Sequence, residues 1–176
     1  MKITVSPRKT SRFTVYLRIP GWAGNQPVPG DLYSFAKADK DSVFITVNGI
    51  PFNFESVKGY AVIDRQWMAG DVVNYSIPMT IHQIEANRKV IEDTGKVALE
   101  RGPIVYCLEE IDNRNIEQVT INAGALLTAR FDTTLLNGVE TLSGHDSAGT
   151  ENFTAIPYFA WNNRGACRMK VWIPTK

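Results

Sequence analysis

The residues best equipped for chemistry sit close together in the run IPYFAWNNRG, where Tyr158, Trp161, Asn162, Asn163 and Arg164 fall in one expected loop. Aromatic rings stack on the flat C–H faces of sugars, while amide and guanidinium groups bond hydroxyls. Tyr158, Trp161, Asn163 and Arg164 are therefore the candidate carbohydrate-binding set. The competing readings are core packing and a surface for another domain. Trp22, Trp67 and Trp172 follow or interrupt strand-like runs, where a large ring closes the end of a core, so these three are expected to be core.

Carboxylates are the next resource. Glycosidic hydrolysis uses two acids about 5 to 5.5 Å apart for retention and about 6.5 to 9.5 Å apart for inversion. Glu100, Glu109 and Glu110 lie near strand ends, where charges blunt unwanted edge pairing, and Glu100 beside Arg101 suggests an ion pair fixing a hairpin. Glu92-Asp93 before Thr94-Gly95 reads as a turn. Nucleophilic catalysis requires a nucleophile, a base and a group orienting that base, and no motif supplies all three. His82 sits at a strand end and His145 in a polar loop, while Cys107 and Cys167 are expected to be buried thiols, with a disulfide as the alternative. Two distant cysteines and two distant histidines offer no ligand spacing, so no metal site and no cofactor are expected. Phosphate-binding loops, dinucleotide fingerprints and nucleophile elbows are also absent from the sequence.

The elements that must position these residues read as strands. The chain has 176 residues, 44% of them apolar, with 19 basic and 18 acidic side chains giving a net charge of +1. Such a balance supplies no field to gather nucleic acid or an anionic membrane surface. There is no leader-like apolar stretch and no run near the roughly 20 apolar residues that span a bilayer, so a soluble chain is expected.

Period-two patterning dominates. Phe13, Val15, Leu17 and Ile19 share one strand face, Val43, Ile45 and Val47 repeat the device, and Asn48-Gly49 is a type I′ hairpin signal. Further strands are expected at 60–64, 72–77, 97–100, 104–108, 118–121, 126–131, 139–142, 153–156 and 169–173. Asp31 to Ala38 is expected to be a short helix capped by Asp31, and the polar stretch 143–152 a mobile loop. The fold class is all-β: an antiparallel, jelly-roll-like β-sandwich, with two small sandwiches in tandem over 1–87 and 88–176. One continuous double sheet is the alternative.

Seven motifs in order carry a resemblance: LRIPGWA at 17–23, VNG at 47–49, DRQWMAGD at 64–71, IPM at 77–79, GKVALERGPIVYCLEEIDN at 95–113, IPYFAWNNRG at 156–165 and MKVWIP at 169–174. Together they resemble the C-terminal portion of glycoside hydrolase family 127, the β-L-arabinofuranosidase-like proteins, across essentially the whole chain. The resemblance implies bacterial enzymes in which a helical barrel holds a catalytic glutamate, a nucleophilic cysteine and a cysteine-rich zinc site, followed by β-sandwich domains. None of those barrel motifs has a counterpart in these 176 residues, so no catalytic residue carries over and Cys107 is not the nucleophile. The implied role is a non-catalytic accessory portion, with the catalytic barrel as partner and the bacterial cytoplasm or periplasm as compartment. The other reading is a module for arabinose-containing glycans. A chain without that barrel is expected to expose an apolar patch and be open to self-association.

Overall fold

The computed structural model describes residues 1–38, 40, 42–149 and 152–176. It is all-β, with antiparallel ladders and only single 3₁₀ turns besides. The first eight strands are β1 (Lys2–Val5), β2 (Ser11–Arg18), β3 (Tyr33–Phe35), β4 (Phe44–Val47), β5 (Ile50–Pro51), β6 (Glu55–Val57), β7 (Tyr60–Trp67) and β8 (Asp71–Ser76). The other eight are β9 (Ile81–Ala86), β10 (Lys96–Arg101), β11 (Ile104–Glu109), β12 (Thr128–Asp132), β13 (Val139–His145), β14 (Asn152–Pro157), β15 (Met169–Lys170) and β16 (Ile173–Pro174). No helix among the described residues is long and apolar enough to cross a membrane. Two compact units result, one of Met1–Gln26 with Asp39–Pro78, the other of Pro27–Ala38 with Met79–Lys176.

The first unit is a sandwich. A sheet in the order β1-β8-β4-β5 and a sheet in the order β2-β7-β6 enclose Leu17, Ile45, Val47, Ala61, Ile63, Trp67, Val73 and Tyr75. Alternation decides the faces, since odd residues of β2 and β4 turn to this core while Arg12, Tyr16 and Arg18 turn to solvent. Trp67 belongs to β7 itself rather than to the connection after it. It is fully buried, and its indole N–H donates to the Phe13 carbonyl at 2.9 Å. The β4–β5 hairpin turns at Asn48 (φ 54°) and Gly49 (φ 80°), the two positive φ values that a type I′ turn requires.

The second unit is one nine-stranded sheet in the order β12-β13-β14-β11-β10-β9-β3, with β15 against β11 and β16 against β10. It carries apolar clusters on both faces. Val97, Leu99, Tyr106, Leu108, Leu142 and Phe153 gather on one, while Cys107, Leu135, Val139, Ile156 and Ala160 gather on the other. Trp22 and Trp172, expected in the core, are only half-buried, and the Trp172 ring stacks on Tyr33 at 5.6 Å.

Three local expectations are corrected. Asp31 to Ala38 is not helical, because Tyr33–Phe35 pairs with β9 and Asn87 ties the entry, its N–H donating to the Leu32 carbonyl (2.7 Å) and its side-chain amide to the Asp31 backbone carbonyl (3.1 Å). Two turns of isolated helix cannot repay their nucleation cost against a ready-made sheet edge. Gln118 to Ile121 is not a strand; a 3₁₀ turn at Ile116–Gln118 buries Ile116 and Val119, and Ile121 makes a single parallel bridge to Thr175. Of the stretch 143–152, residues 143–145 extend β13, 146–149 form a turn, and positions 150 and 151 lie outside the described residues.

Candidate functional site

The turn after β14 contains the residues singled out for sugar binding. Pro157 ends the strand, Tyr158–Ala160 form a 3₁₀ turn pinned by the fully buried Ala160, and the Trp161 N–H closes it onto the Tyr158 carbonyl at 3.1 Å. Tyr158 and Trp161 thereby stack on each other, ring centroids 6.0 Å apart at 27°. Both remain exposed, as does Phe159 between them.

The polar members of the set turn inward. Asn163 donates to the Ala160 carbonyl at 3.0 Å, capping its own turn. Asn162 adopts a left-handed backbone (φ 66°), and its N–H donates to Glu109 Oε1 at 2.8 Å. Arg164 donates to Glu109 Oε2 at 2.5 Å and grips Asp112 with both terminal nitrogens, one of them 2.9 Å from Oδ1. Its hydrogen bonds to Asp112 above all, then to Glu109, hold the guanidinium more firmly protonated than usual, against the opposing effect of burial. Glu109 is 0% exposed, so a strand-end carboxylate expected at an edge is buried and neutralised by an arginine 55 positions later. Both acids thus direct their oxygens at one cation.

The remaining candidates are dispersed. Glu110 pairs with Arg168, whose Nε lies 3.0 Å from Oε2. Glu100 is 7% exposed, and burial alone pushes its carboxyl up to about 7. Its expected ion pair with Arg101 does not form, since successive strand residues point to opposite faces. Arg101 turns toward the side of Tyr106, approaching a buried hydroxyl that has no partner in hydrogen-bond geometry. Facing Glu100 in register are His82 on β9 and Val105 on β11, not a second carboxylate. His82 stacks on Phe35 at 4.0 Å, and His145 lies at the end of β13 rather than in a loop. Both cysteines are free; burial first, then Glu109 and Cys167, push the Cys107 thiol up to about 12, while Cys167 is half-exposed rather than buried. Among the described residues no three of His, Cys, Asp or Glu come together, so they assemble no donor set for a zinc ion.

Sequence reasoning found the aromatic turn but missed its lock. Glu109 ends β11 and Asp112 follows it, 55 and 52 positions before Arg164, and the pairing of β14 with β11 joins the two segments. Glu100 was visible as a carboxylate, yet its near-neutral pKa depends on a burial that the strand pattern does not display.

Comparison with known proteins gives one consistent result. Residues 81–174 match the model of the glycoside hydrolase family 127 C-terminal domain, and residues 1–79 match that of the β-L-arabinofuranosidase GH127 middle domain. A non-reducing end β-L-arabinofuranosidase of Bifidobacterium longum subsp. longum is 29% identical over 89% of this chain and 25% of its own length. The crystal structure of a GH127 β-L-arabinofuranosidase from Geobacillus stearothermophilus superposes over 99% of this chain and 28% of that one, with TM-score 0.81 and 37% identity. A further GH127 β-arabinofuranosidase structure aligns over 99% of this chain and 29% of its own, with TM-score 0.87 and 37% identity. The chain thus spans less than a third of the length of these relatives.

Proposed function

The chain belongs to glycoside hydrolase family 127, and from that premise we propose that it is a non-catalytic accessory portion of a β-L-arabinofuranosidase-like enzyme, supporting a catalytic barrel and its assembly. The observation that carries this reading is the state of the buried carboxylates. Asp71 is held by backbone and side-chain donors, Glu109 is locked to Arg164, and Glu100 faces His82 and Val105. None of these arrangements presents two acids across a substrate-sized gap. The 176-residue chain, assayed on an aryl β-L-arabinofuranoside with added zinc, is expected to show no turnover above a buffer blank. Turnover clearly above it overturns the proposal.

A second reading, a module that binds arabinose-containing glycans, is favoured by the exposed Tyr158–Trp161 stack. It expects arabinose-containing oligosaccharides to quench tryptophan fluorescence saturably, with the response lost in Trp161→Ala. Flat titrations across a glycan panel leave the supporting role alone.

A further inference from the structure

A polar cavity of about 180 Å³ opens in the second unit, away from the aromatic turn, between the 113–119 segment, the 146–149 turn and the start of β14. Its frame is fixed by side chains that bond backbone. The buried Asn113 donates to the carbonyls of Glu109 (2.8 Å) and Thr154 (2.9 Å) and accepts from the Thr154 N–H (2.8 Å), tying one wall to β14. Opposite, the Thr120 and Ser147 hydroxyls meet at 2.5 Å and the Ser147 N–H donates to the Thr120 carbonyl. Phe153 lies beneath the floor, its ring 2% exposed within the apolar core of the unit.

The rest of the lining is chemically different. Arg114, Asn115, Gln118 and Asn152 are exposed at the mouth, their side chains without a hydrogen-bond partner among the described residues, and the half-buried Asp146 adds a carboxylate to the lining. Three of the four are amides, each offering donors and an acceptor on one planar group. A carboxylate ligand would call for donors only, and a phosphate for several cations. A neutral ring bearing hydroxyls, each both donor and acceptor, matches amides on a rigid frame. The volume suits one monosaccharide ring and falls below the ~300 Å³ at which drug-sized sites begin.

We propose that this cavity is a binding site for a single neutral sugar ring, held by Asn115, Gln118 and Asn152. The proposal rests on membership of a glycoside hydrolase family, not on the supporting role, and concerns residues other than the Tyr158–Trp161 turn. Saturation-transfer NMR on the whole chain, with methyl β-L-arabinofuranoside and D-glucose as separate probes, and ³¹P line broadening of inorganic phosphate test it. A saturable millimolar signal is expected for at least one sugar, about tenfold weaker in the double variant Gln118→Ala/Asn152→Ala. If the double variant loses its fold, Gln118→Glu, which keeps the shape and replaces the amide donors, carries the same expectation. Absence of any sugar signal overturns the proposal, as does a signal that survives these substitutions or a response to phosphate alone. Loss on Trp161→Ala with the amide variants unaffected also overturns it, placing the sugar on the aromatic turn. All of these outcomes leave the supporting role standing, which the turnover assay tests separately.

Discussion

Asp71, at the start of β8 in the first unit, and Glu100, in β10 of the second, are both buried carboxylates on strands, at 5% and 7% exposure. Their surroundings act on them in opposite directions. The Met68 N–H at 2.9 Å, the Asn48 side chain at 2.8 Å and, more distantly, Arg65 hold Asp71 below the usual carboxylate range. Among the described residues Glu100 has no comparable donors, and burial pushes it up to about 7. Similar exposure therefore gives an anion in one place and a group that titrates near neutrality in the other. The number of donors aimed at the carboxylate decides its charge, and burial only sets how much that number matters. Glu109 extends the contrast: still more deeply buried, it is charge-paired with Arg164 instead.

The largest effect is expected where a buried charge loses its cation. Arg164→Ala leaves Glu109 inside the second unit without its partner, and urea denaturation should register a loss of about 3 kcal/mol, the low end for broken buried pairs because Arg164 is itself a third exposed. The double variant Glu109→Gln/Arg164→Met should recover much of that loss. If the single variant is neutral, the clamp does not hold the turn.

Glu100→Gln should act in the other direction. A carboxyl raised from 4.5 to about 7 on folding contributes stability in full below its unfolded value and loses it as pH rises through 7. The ionised form is thus disfavoured on the order of 3 kcal/mol at pH 8. The amide should stabilise the protein by about 2 kcal/mol at pH 8 and change little at pH 4.5. Equal effects at the two values would show that Glu100 is solvated in solution.

Asp71→Asn should show the mirror-image profile with a smaller amplitude. A depressed carboxyl contributes stability above its unfolded pKa and loses it as pH falls through the folded value, so the variant should be less stable than the parent at pH 7 and converge with it in acid. Thermal melts at the two pH values check the crossing.

These contrasts also mark what the sequence could disclose. The Asn48-Gly49 turn was legible because its requirement is local, two positive φ angles in consecutive residues. The 33–35 strand was not, because its partner β9 lies some fifty positions away and outweighs a weak helical preference. Burial of Glu100 was hidden by an assumption in the pattern itself. Val97 and Leu99 mark one face as core, which normally leaves Ala98 and Glu100 to solvent. This sheet, however, is covered on its second face too, where Cys107 and Ile156 are paired in register and buried. The seven spaced motifs were legible for a different reason, since family membership resides in the order of turns and strand ends rather than in any one contact.

The smallest effect separates geometry from charge in the first unit. Gly49→Ala adds a methyl group that meets no atom within 4 Å, so its cost is confined to the backbone at φ 80°, about 1 kcal/mol. The same hairpin places Asn48, whose side chain donates to Asp71 and accepts the Val72 N–H at 2.8 Å. If the turn and the carboxylate are separate contributors, the Gly49→Ala loss should be the same at pH 4.5 and pH 8 and should add to that of Asp71→Asn. A pH-dependent loss, or a double variant less destabilised than the sum, would mean that the turn's main value is to aim Asn48 at the carboxylate. The donors around Asp71 would then be coupled through the hairpin rather than supplied independently.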